Sequence, residues 1–221
     1  MKSYLSLAWK ELKAQRVTAI LILIAVILSS LMTTVIGQSI GILQAMRVQQ
    51  AERLNGSRYA TFHQLMQQQA QTLHDDPRLT DVGDVLYLGS MGLGSSSLKL
   101  SLREYHDDAL AMYPSIGKIK EGRLPEAAKE VALPEDALQY LDKNAAVDDT
   151  IRLTLTVSTM DGLLPEVEYT ADFTLTGILE SSYLGYSSGT VQGIVGKGSA
   201  EVLLPAAYRL ISTDFKTQSK Q

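Results

Sequence analysis

The 221-residue chain contains no cysteine, and this absence excludes two classes of site. Without thiols the protein forms neither disulfides nor thiolate metal centres. The absence does not distinguish one side of a membrane from the other, because a folded domain of this size needs no covalent cross-links.

Histidine is also scarce, and the common catalytic motifs are missing. His63, His74 and His106 are scattered, and no H-E-x-x-H sequence is present. The glycine-rich run at 193–198 (GIVGKG) lacks the spacing of a phosphate-binding loop. No serine lies in a G-x-S-x-G turn. The sequence therefore predicts no catalytic, cofactor-binding or metal-binding residues.

Two acidic patterns leave other interpretations open. His63, together with His74 and the following Asp75-Asp76, has the donor atoms for a metal ion, but a solvated helix end explains the same residues. The pairs Asp107-Asp108 and Asp148-Asp149 are adjacent acids. Neighbours along a chain do not in general face one substrate, so we interpret both pairs as solvated turns.

Charge is absent between Arg16 and Arg47, and this stretch determines the class of protein. Residues 17–36 (VTAILILIAVILSSLMTTVI) contain no charge, glycine or proline, and as a helix they span roughly 30 Å, the thickness of a bilayer core. A cleaved signal peptide has a shorter apolar region and an A-x-A-like site, neither of which is found here. The run predicts a retained transmembrane helix.

The charges around this run predict its orientation. Four basic residues and one acid precede it, and short basic flanks stay in the cytoplasm. The chain from Arg47 onward holds 16 of the 20 basic and 23 of the 24 acidic residues, a formal net charge of −7. Such an acidic portion argues against nucleic-acid binding. We predict a single-pass cell-membrane protein with a cytoplasmic N-terminus and an extracytoplasmic C-terminal domain, in contact with membrane lipid.

The helical pattern continues beyond the predicted span. Apolar residues recur as far as Leu54, and Asn55-Gly56 is a typical C-terminal stop. The alternative is a kink at Gly37 or Gly41, because glycine is unfavourable inside helices. The predicted organisation is a cytoplasmic amphipathic segment at 1–16, a transmembrane helix at 17–36, a helical stalk at 37–56 and an extracytoplasmic domain at 57–221.

Small residues recur every four positions in this helix, at Ala25, Ser29, Thr33, Gly37 and Gly41. Small side chains let membrane helices approach closely, so we predict that this ridge packs against another helix. Because a four-residue row drifts by about 40° per step around the helix, a crossing helix or two partners fit better than one straight partner. The alternative is that small residues are merely tolerated in the membrane.

The remaining sequence predicts a mixed α+β domain without repeats. Strand patterns occur at 57–62, 82–88, 98–102, 131–133, 151–157 and 169–179, and helical patterns occur at 63–74 and 134–141. The last two strands flank a predicted hairpin tip at Asp161-Gly162. Glycine and serine predict a turn or mobile loop at 89–97 and a flexible excursion at 181–199.

Four ordered motifs carry a resemblance to a known family. They are EGRLP (121–125), EVALPEDAL (130–138), VDDTIRL (147–153) and FTLTGIL (173–179), preceded by LAWKELK (7–13) before the apolar span. Together they resemble the MacB-type extracytoplasmic core domain and opening segment of FtsX-like ABC transporter permeases. The family usually has Gly-Asp where this chain has Asp148-Asp149, but aspartate tolerates left-handed backbone, so we expect the turn to survive. The physical interpretation of the motifs is structural.

The resemblance implies a transport component that is coupled mechanically to a separate cytoplasmic ABC ATPase, for export or envelope signalling. It implies further permease helices or a second permease copy as partners, and a possible extracytoplasmic partner or a peptide or lipid substrate. Family members carry more membrane helices after this domain, so we expect either an N-terminal fragment or a stand-alone relative. The alternative is a single-span ligand-binding or sensor protein that does not transport.

Overall fold

The computed structural model describes residues 16–94, 97–159, 162, 164–181 and 188–217. The chain divides into two compact units, Met1–Gln50 and Ala51–Gln221. The predicted α+β class, with one long apolar helix before a sheet-rich domain, is confirmed. The finer division into cytoplasmic, transmembrane, stalk and extracytoplasmic parts stays a prediction.

Helix α1 runs from Arg16 to Asn55 without interruption. Its backbone stays helical through Gly37 and Gly41, so the kink that we considered at these positions is absent. The segment Ile20–Arg47 has a mean hydropathy of 2.6, and its most apolar window is not buried against the rest of the chain. Among the described residues it is the one helix long and apolar enough to cross a membrane.

The described part of the second unit contains nine strands, three α-helices given below and two 3-10 helices, Leu110–Met112 and Ala206–Tyr208. The strands and α-helices are β1 (Ala60–Leu65), α2 (Gln67–His74), β2 (Leu79–Gly92), β3 (Lys99–Tyr105), β4 (Ile119–Gly122), β5 (Glu130–Pro134), α3 (Glu135–Leu141), β6 (Thr150–Val157), β7 (Val167–Leu179), β8 (Thr190–Val195), α4 (Ser199–Leu203) and β9 (Ile211–Thr217).

Six of these strands pair in a closed ring. The order is β2, β3, β8, β5, β7 and β6, and β6 returns to β2 through the pair Ser90 and Thr156. Strands β9 and β1 extend the sheet from β2, and β4 pairs with β7. The pairs β3–β8 and β5–β7 are parallel, and the other pairs are antiparallel. A strand inside the ring has neighbours on both sides and presents no open edge.

The main core is built from alternating strand residues. In β6 the side chains of Ile151, Leu153, Leu155 and Val157 are buried, and the residues between them are exposed or half-buried. This alternation follows from the two-residue period of a strand, which places every second side chain on the same face. Core residues from the other ring strands include Leu88, Leu100, Leu102, Val131, Leu133, Phe173, Leu175, Val191 and Val195.

The first predicted helix begins later than its polar pattern indicated. Residues 63–65 belong to β1, where Leu65 pairs with Ile211 of β9, and α2 begins only at Gln67. The side chain of Gln69 accepts a hydrogen bond from the Met66 amide at 2.9 Å, which marks the true helix start. The prediction at 63–65 was wrong because pairing with β9 outweighs local propensity.

Two predicted loops contain regular structure. Strand β2 continues through residues 89–92, opposite 99–102 of β3, so the predicted loop there was partly wrong. Within 181–199, β8 is largely buried between β3 and β5, and α4 begins at Ser199. The packing leaves room only for glycine at position 193. An added Cβ would lie 2.7 Å from the Leu102 side chain and 2.9 Å from that of Leu133. Asp161 of the predicted hairpin tip lies outside the described residues.

Candidate functional site

A cleft of about 490 Å³ brings together histidines and carboxylates from separate elements of the second unit. We call it the histidine–carboxylate cleft and define it by His74 of α2, Asp84 of β2, Glu104 of β3, and His106 and Asp107 after β3. Its walls also include backbone at the start of α4. These residues are distant in sequence, and the pairing of β2 with β3 places their elements side by side.

Glu104 is almost fully buried at the base of this cleft. One carboxylate oxygen accepts hydrogen bonds from the Gly198 amide at 2.7 Å and contacts His106 Nε2 at 2.7 Å, and the other accepts from the Ala200 amide at 2.7 Å. Burial by itself raises the pKa of Glu104, but the bonds with His106, Ala200 and Gly198 outweigh it and lower that pKa below its usual value. Glu104 is thus an ionised carboxylate that accepts hydrogen bonds from backbone amides at the start of α4.

His74, Asp84 and Asp107 have the donor set for a divalent cation. One ligand atom of each lies within 4.8 Å of the others, and imidazole with carboxylates suits zinc or a similar metal. The same atoms also have partners within the protein. Asp84 contacts His74 Nε2 at 3.1 Å and accepts from the Thr213 hydroxyl at 2.6 Å. The prediction that no metal is bound stays a prediction.

The sequence suggested a different metal grouping, and the structure does not assemble it. His63 Nδ1 contacts Ser212 Oγ at 3.1 Å, Asp75 accepts from the Gln71 amide group at 3.3 Å, and Asp76 pairs with Arg78 at 2.6 Å. Among the described residues, the group of potential ligands contains only His74 from that set. Asp107 and Asp108 are exposed in a turn, as predicted, and the Asp107 carboxylate also lies near His74 and Asp84.

A second cavity, of about 480 Å³, contains arginines. We call it the arginine pocket and define it by Arg58, Gln64, Arg103, Tyr113 and Asp214, which line it. Asp214 is buried, accepts hydrogen bonds from Thr61 and from the Tyr113 hydroxyl at 2.6 Å, and lies 3.5 Å from Arg58 Nε. Burial, followed by the bond to Asp214, raises the pKa of Tyr113. No sequence motif marks these five residues, and among the other lining residues only His63 was a candidate ligand in the sequence.

The four motif segments that carry the family resemblance contact one another. In EGRLP, Arg123 Nη2 donates to Glu130 at 2.5 Å and the Arg123 amide donates to the Thr176 carbonyl at 2.8 Å. In VDDTIRL, the Asp148 amide donates to the Leu175 carbonyl at 2.7 Å. EVALPEDAL contributes β5 and α3, and FTLTGIL lies in β7, the parallel neighbour of β5. The motifs therefore form one structural unit.

Aspartate takes the place of the expected glycine in this unit without loss of the turn. Asp148 has φ of +76°, in the left-handed region that glycine favours. The turn is closed by the Ala146 amide, which donates to the Asp149 carboxylate at 2.8 Å. The expectation that Asp148-Asp149 preserves the turn is confirmed.

The small-residue ridge of α1 lies on an exposed helix. Ala25, Ser29, Thr33, Gly37 and Gly41 are all exposed, and no atom of the described residues lies within 4 Å of a Cβ added at either glycine. The Thr33 hydroxyl donates to the Ser29 carbonyl at 2.9 Å, which satisfies it within the helix. The ridge therefore has room for a partner, and its role in helix packing stays a prediction.

Comparison with known proteins gives similarity of fold to solved structures. No protein-family model and no curated protein matches the chain. Among solved structures, the crystal structure of the periplasmic region of MacB from Actinobacillus actinomycetemcomitans matches with a TM-score of 0.44 and 15% identity. The match covers 72% of this chain and 68% of that one.

Proposed function

We propose that this chain is the first transmembrane helix and the extracytoplasmic domain of a MacB/FtsX-like ABC transporter permease. A separate cytoplasmic ATPase moves the membrane helices, and the extracytoplasmic domain acts on a substrate or partner protein outside the cell. The chain itself performs no catalysis. The observation that carries the proposal is the motif unit: four segments spread over residues 121–179 interlock after an apolar helix, in the order that the family resemblance requires.

The connection that follows α1 suits mechanical coupling. Directly after the helix end at Asn55, the Ser57 amide donates to the Met112 carbonyl at 2.7 Å, and the Tyr59 amide donates to the Phe215 carbonyl at 2.8 Å. Arg58 pairs with the buried Asp214. These bonds attach residues 57–59 to the rest of the second unit, and the proposed coupling would act through them.

A second candidate function is a single-span ligand-binding or sensor protein that does not transport. The two cavities of the second unit favour it, because each has the size of a small-molecule site. The two functions differ in whether an ATPase and further membrane helices accompany the chain.

Affinity isolation from native membranes separates these functions. The chain, tagged at its C-terminus and extracted in mild detergent after cross-linking, is expected to bring down an ABC ATPase, identified by mass spectrometry. An ATPase-free complex from membranes would overturn the transporter proposal in favour of the sensor. Recovery of the whole chain in the soluble fraction would overturn both.

The orientation is tested in the same preparation. Because the chain has no cysteine, Ser3→Cys and Gln139→Cys each introduce the single thiol of the variant, and no other residue reacts with a thiol reagent. Gln139 is exposed on α3. A membrane-impermeant maleimide is expected to label Gln139→Cys in intact cells and Ser3→Cys only after lysis. The reverse pattern would overturn the proposed orientation.

A further inference from the structure

The arginine pocket contains two buried donors without an acceptor. Arg103 Nε and Gln64 Nε2 are both buried, and neither has a hydrogen-bond partner among the residues that the structure describes. Both side chains line the same cavity of about 480 Å³. An unsatisfied buried donor costs about 1–3 kcal/mol, and a charged one costs more, so two of them at one cavity call for an explanation.

The charge of the pocket is unbalanced. Asp214 is engaged by Arg58, Thr61 and Tyr113. Among the residues that the structure describes, no ion pair neutralises Arg103, and its guanidinium contacts the neutral hydroxyl of Tyr105. One positive charge therefore remains available to an acceptor from outside the chain.

The backbone is strained at the residue that supplies the second donor. Gln64 has φ of +58°, and the pairing of β1 with β9 shifts register between Phe62 and Leu65. A left-handed non-glycine residue costs roughly 1–2 kcal/mol, and such strain concentrates at binding sites. The bulge thus places a residue with strained backbone in the lining of this pocket.

The rest of the lining combines apolar and aromatic side chains with the polar ones of Thr61, His63, Ser158, Thr159 and Ser212. Val85, Val157 and Leu210 provide aliphatic surface, and Tyr87 and Tyr208 provide rings. Apolar surface beside polar groups that fix the orientation of a ligand is typical of a small-molecule site. The planar guanidinium fork is matched best by a carboxylate, which accepts two parallel hydrogen bonds.

We propose that the arginine pocket binds an organic carboxylate with an apolar substituent, whose oxygens accept hydrogen bonds from Arg103 and Gln64. The free carboxylate of a short hydrophobic peptide and that of a medium-chain acyl acid both have this chemistry. The inference does not depend on transport, since a sensor would use the same pocket.

Titration calorimetry on the full chain in lipid nanodiscs tests the proposal with four probes. They are acetyl-Leu-Phe, its C-terminal amide, octanoate and octanol. We expect an acid to bind and its neutral analogue to bind at least about tenfold more weakly, a difference of about 1.4 kcal/mol. Binding of the peptide acid alone identifies a chain end as the source, and binding of octanoate alone identifies an acyl acid. Equal binding of acids and neutral analogues, or no binding up to about 10 mM, would overturn the proposal.

Substitutions assign the binding to this pocket. Arg103→Met removes the guanidinium, and Gln64→Glu replaces an amide donor by a carboxylate that repels the ligand. Each is expected to weaken acid binding at least about tenfold. The matched control is Arg152→Met, which removes a positive charge from an exposed pair with Asp172 outside the pocket and should leave affinity within about twofold.

A folding defect is separated from a binding defect by two further measurements. Arg103→Lys keeps the charge but loses the planar fork, and it is expected to weaken acid binding as well. Thermal unfolding of each variant reports whether the domain is intact. Wild-type affinity in folded Arg103→Lys and Gln64→Glu would overturn the assignment of both donors.

Discussion

Gly122 is fixed by its backbone and by its neighbour in the motif unit. Its φ is +77°, and an added Cβ would lie 2.3 Å from the Thr176 carbonyl oxygen. We expect Gly122→Ala to lower the free energy of unfolding by roughly 2–5 kcal/mol, as the sum of left-handed strain and overpacking. Chemical denaturation of the purified chain measures this change.

Gly162 supplies the matched control for Gly122. It also has positive φ, +65°, but within the described part of the chain no atom lies within 4 Å of an added Cβ. Gly162→Ala should therefore cost only the strain, about 1–2 kcal/mol. Equal losses in the two variants would show that the contact with Thr176 contributes nothing.

Glu130 makes the motif unit sensitive to acid. Hydrogen bonds from Arg123 and from the Glu126 and Ala127 amides lower the pKa of Glu130 to about 2, from an ordinary value of 4.5. A carboxyl whose folded pKa is lowered stabilises the protein fully above its unfolded pKa, and this stabilisation is lost as the pH falls toward the folded pKa. We expect the unfolding free energy to decrease between about pH 4.5 and pH 2, and Glu130→Gln to flatten part of that decrease.

Denaturation curves at several pH values test this expectation. Glu168→Gln is the control, because it removes one negative charge from an exposed position on β7. If Glu130→Gln and the control show the same acid dependence as the wild type, the Arg123 contact does not govern acid stability.

At single positions, the sequence predicts the backbone conformation better than it predicts which groups surround a side chain. The left-handed backbone at Asp148 was predictable, because the family motif has glycine there and aspartate is the usual substitute. The same conformation at Gln64 was not, because glutamine has no such preference and a β-bulge imposes it. The unsatisfied nitrogen of Arg103 depends on what surrounds the side chain, which no local pattern encodes.

At the level of elements, the ridge of α1 makes a prediction about assembly. Gly37→Leu places a bulky side chain where a partner helix would pack, so it should reduce cross-linking to other permease helices or to a second copy. The helix itself should keep its structure, because leucine is a better helix former than glycine by about 0.8–1 kcal/mol. Cross-linking in native membranes and circular dichroism measure the two effects.

Ser39→Leu is the control for Gly37→Leu. Ser39 lies two residues along the same helix, about 200° around its axis, and its hydroxyl donates to the Val35 carbonyl at 2.7 Å. The added volume is similar, but it projects from another face. If both variants lose cross-links equally, the ridge is not the packing surface.

Elements with a strong period were predictable, and those defined by their neighbours were not. Strand β6 alternates over its whole length, and its predicted range differs by one residue from Thr150–Val157. Strand β8 reads as a flexible glycine-rich segment, yet its pairing with β3 and β5 makes it part of the core. The composition of such a segment indicates a large loss of conformational entropy when the segment becomes ordered. Contacts with the neighbouring strands compensate for that loss.

At the scale of the whole molecule, the class of fold followed from the sequence, but the cavities did not. The apolar run and the alternating strands predict an α+β chain with one long helix. The histidine–carboxylate cleft needs α2, β2 and β3 together, and its members Asp84 and Asp107 carry no motif of their own. Only the strand order, with β2 between β9 and β3, brings them into reach of His74.

The first and last strands of the sheet are neighbours, and this has an architectural consequence. Strand β1 pairs with β9 in antiparallel fashion, with Ala60 opposite Phe215, so the polypeptide enters and departs at one corner of the sheet. A module with adjoining ends can be inserted into a loop between two membrane segments without forcing them apart. Such a module is anchored at one point, so a force applied to the incoming strand β1 is also transmitted to the outgoing strand β9.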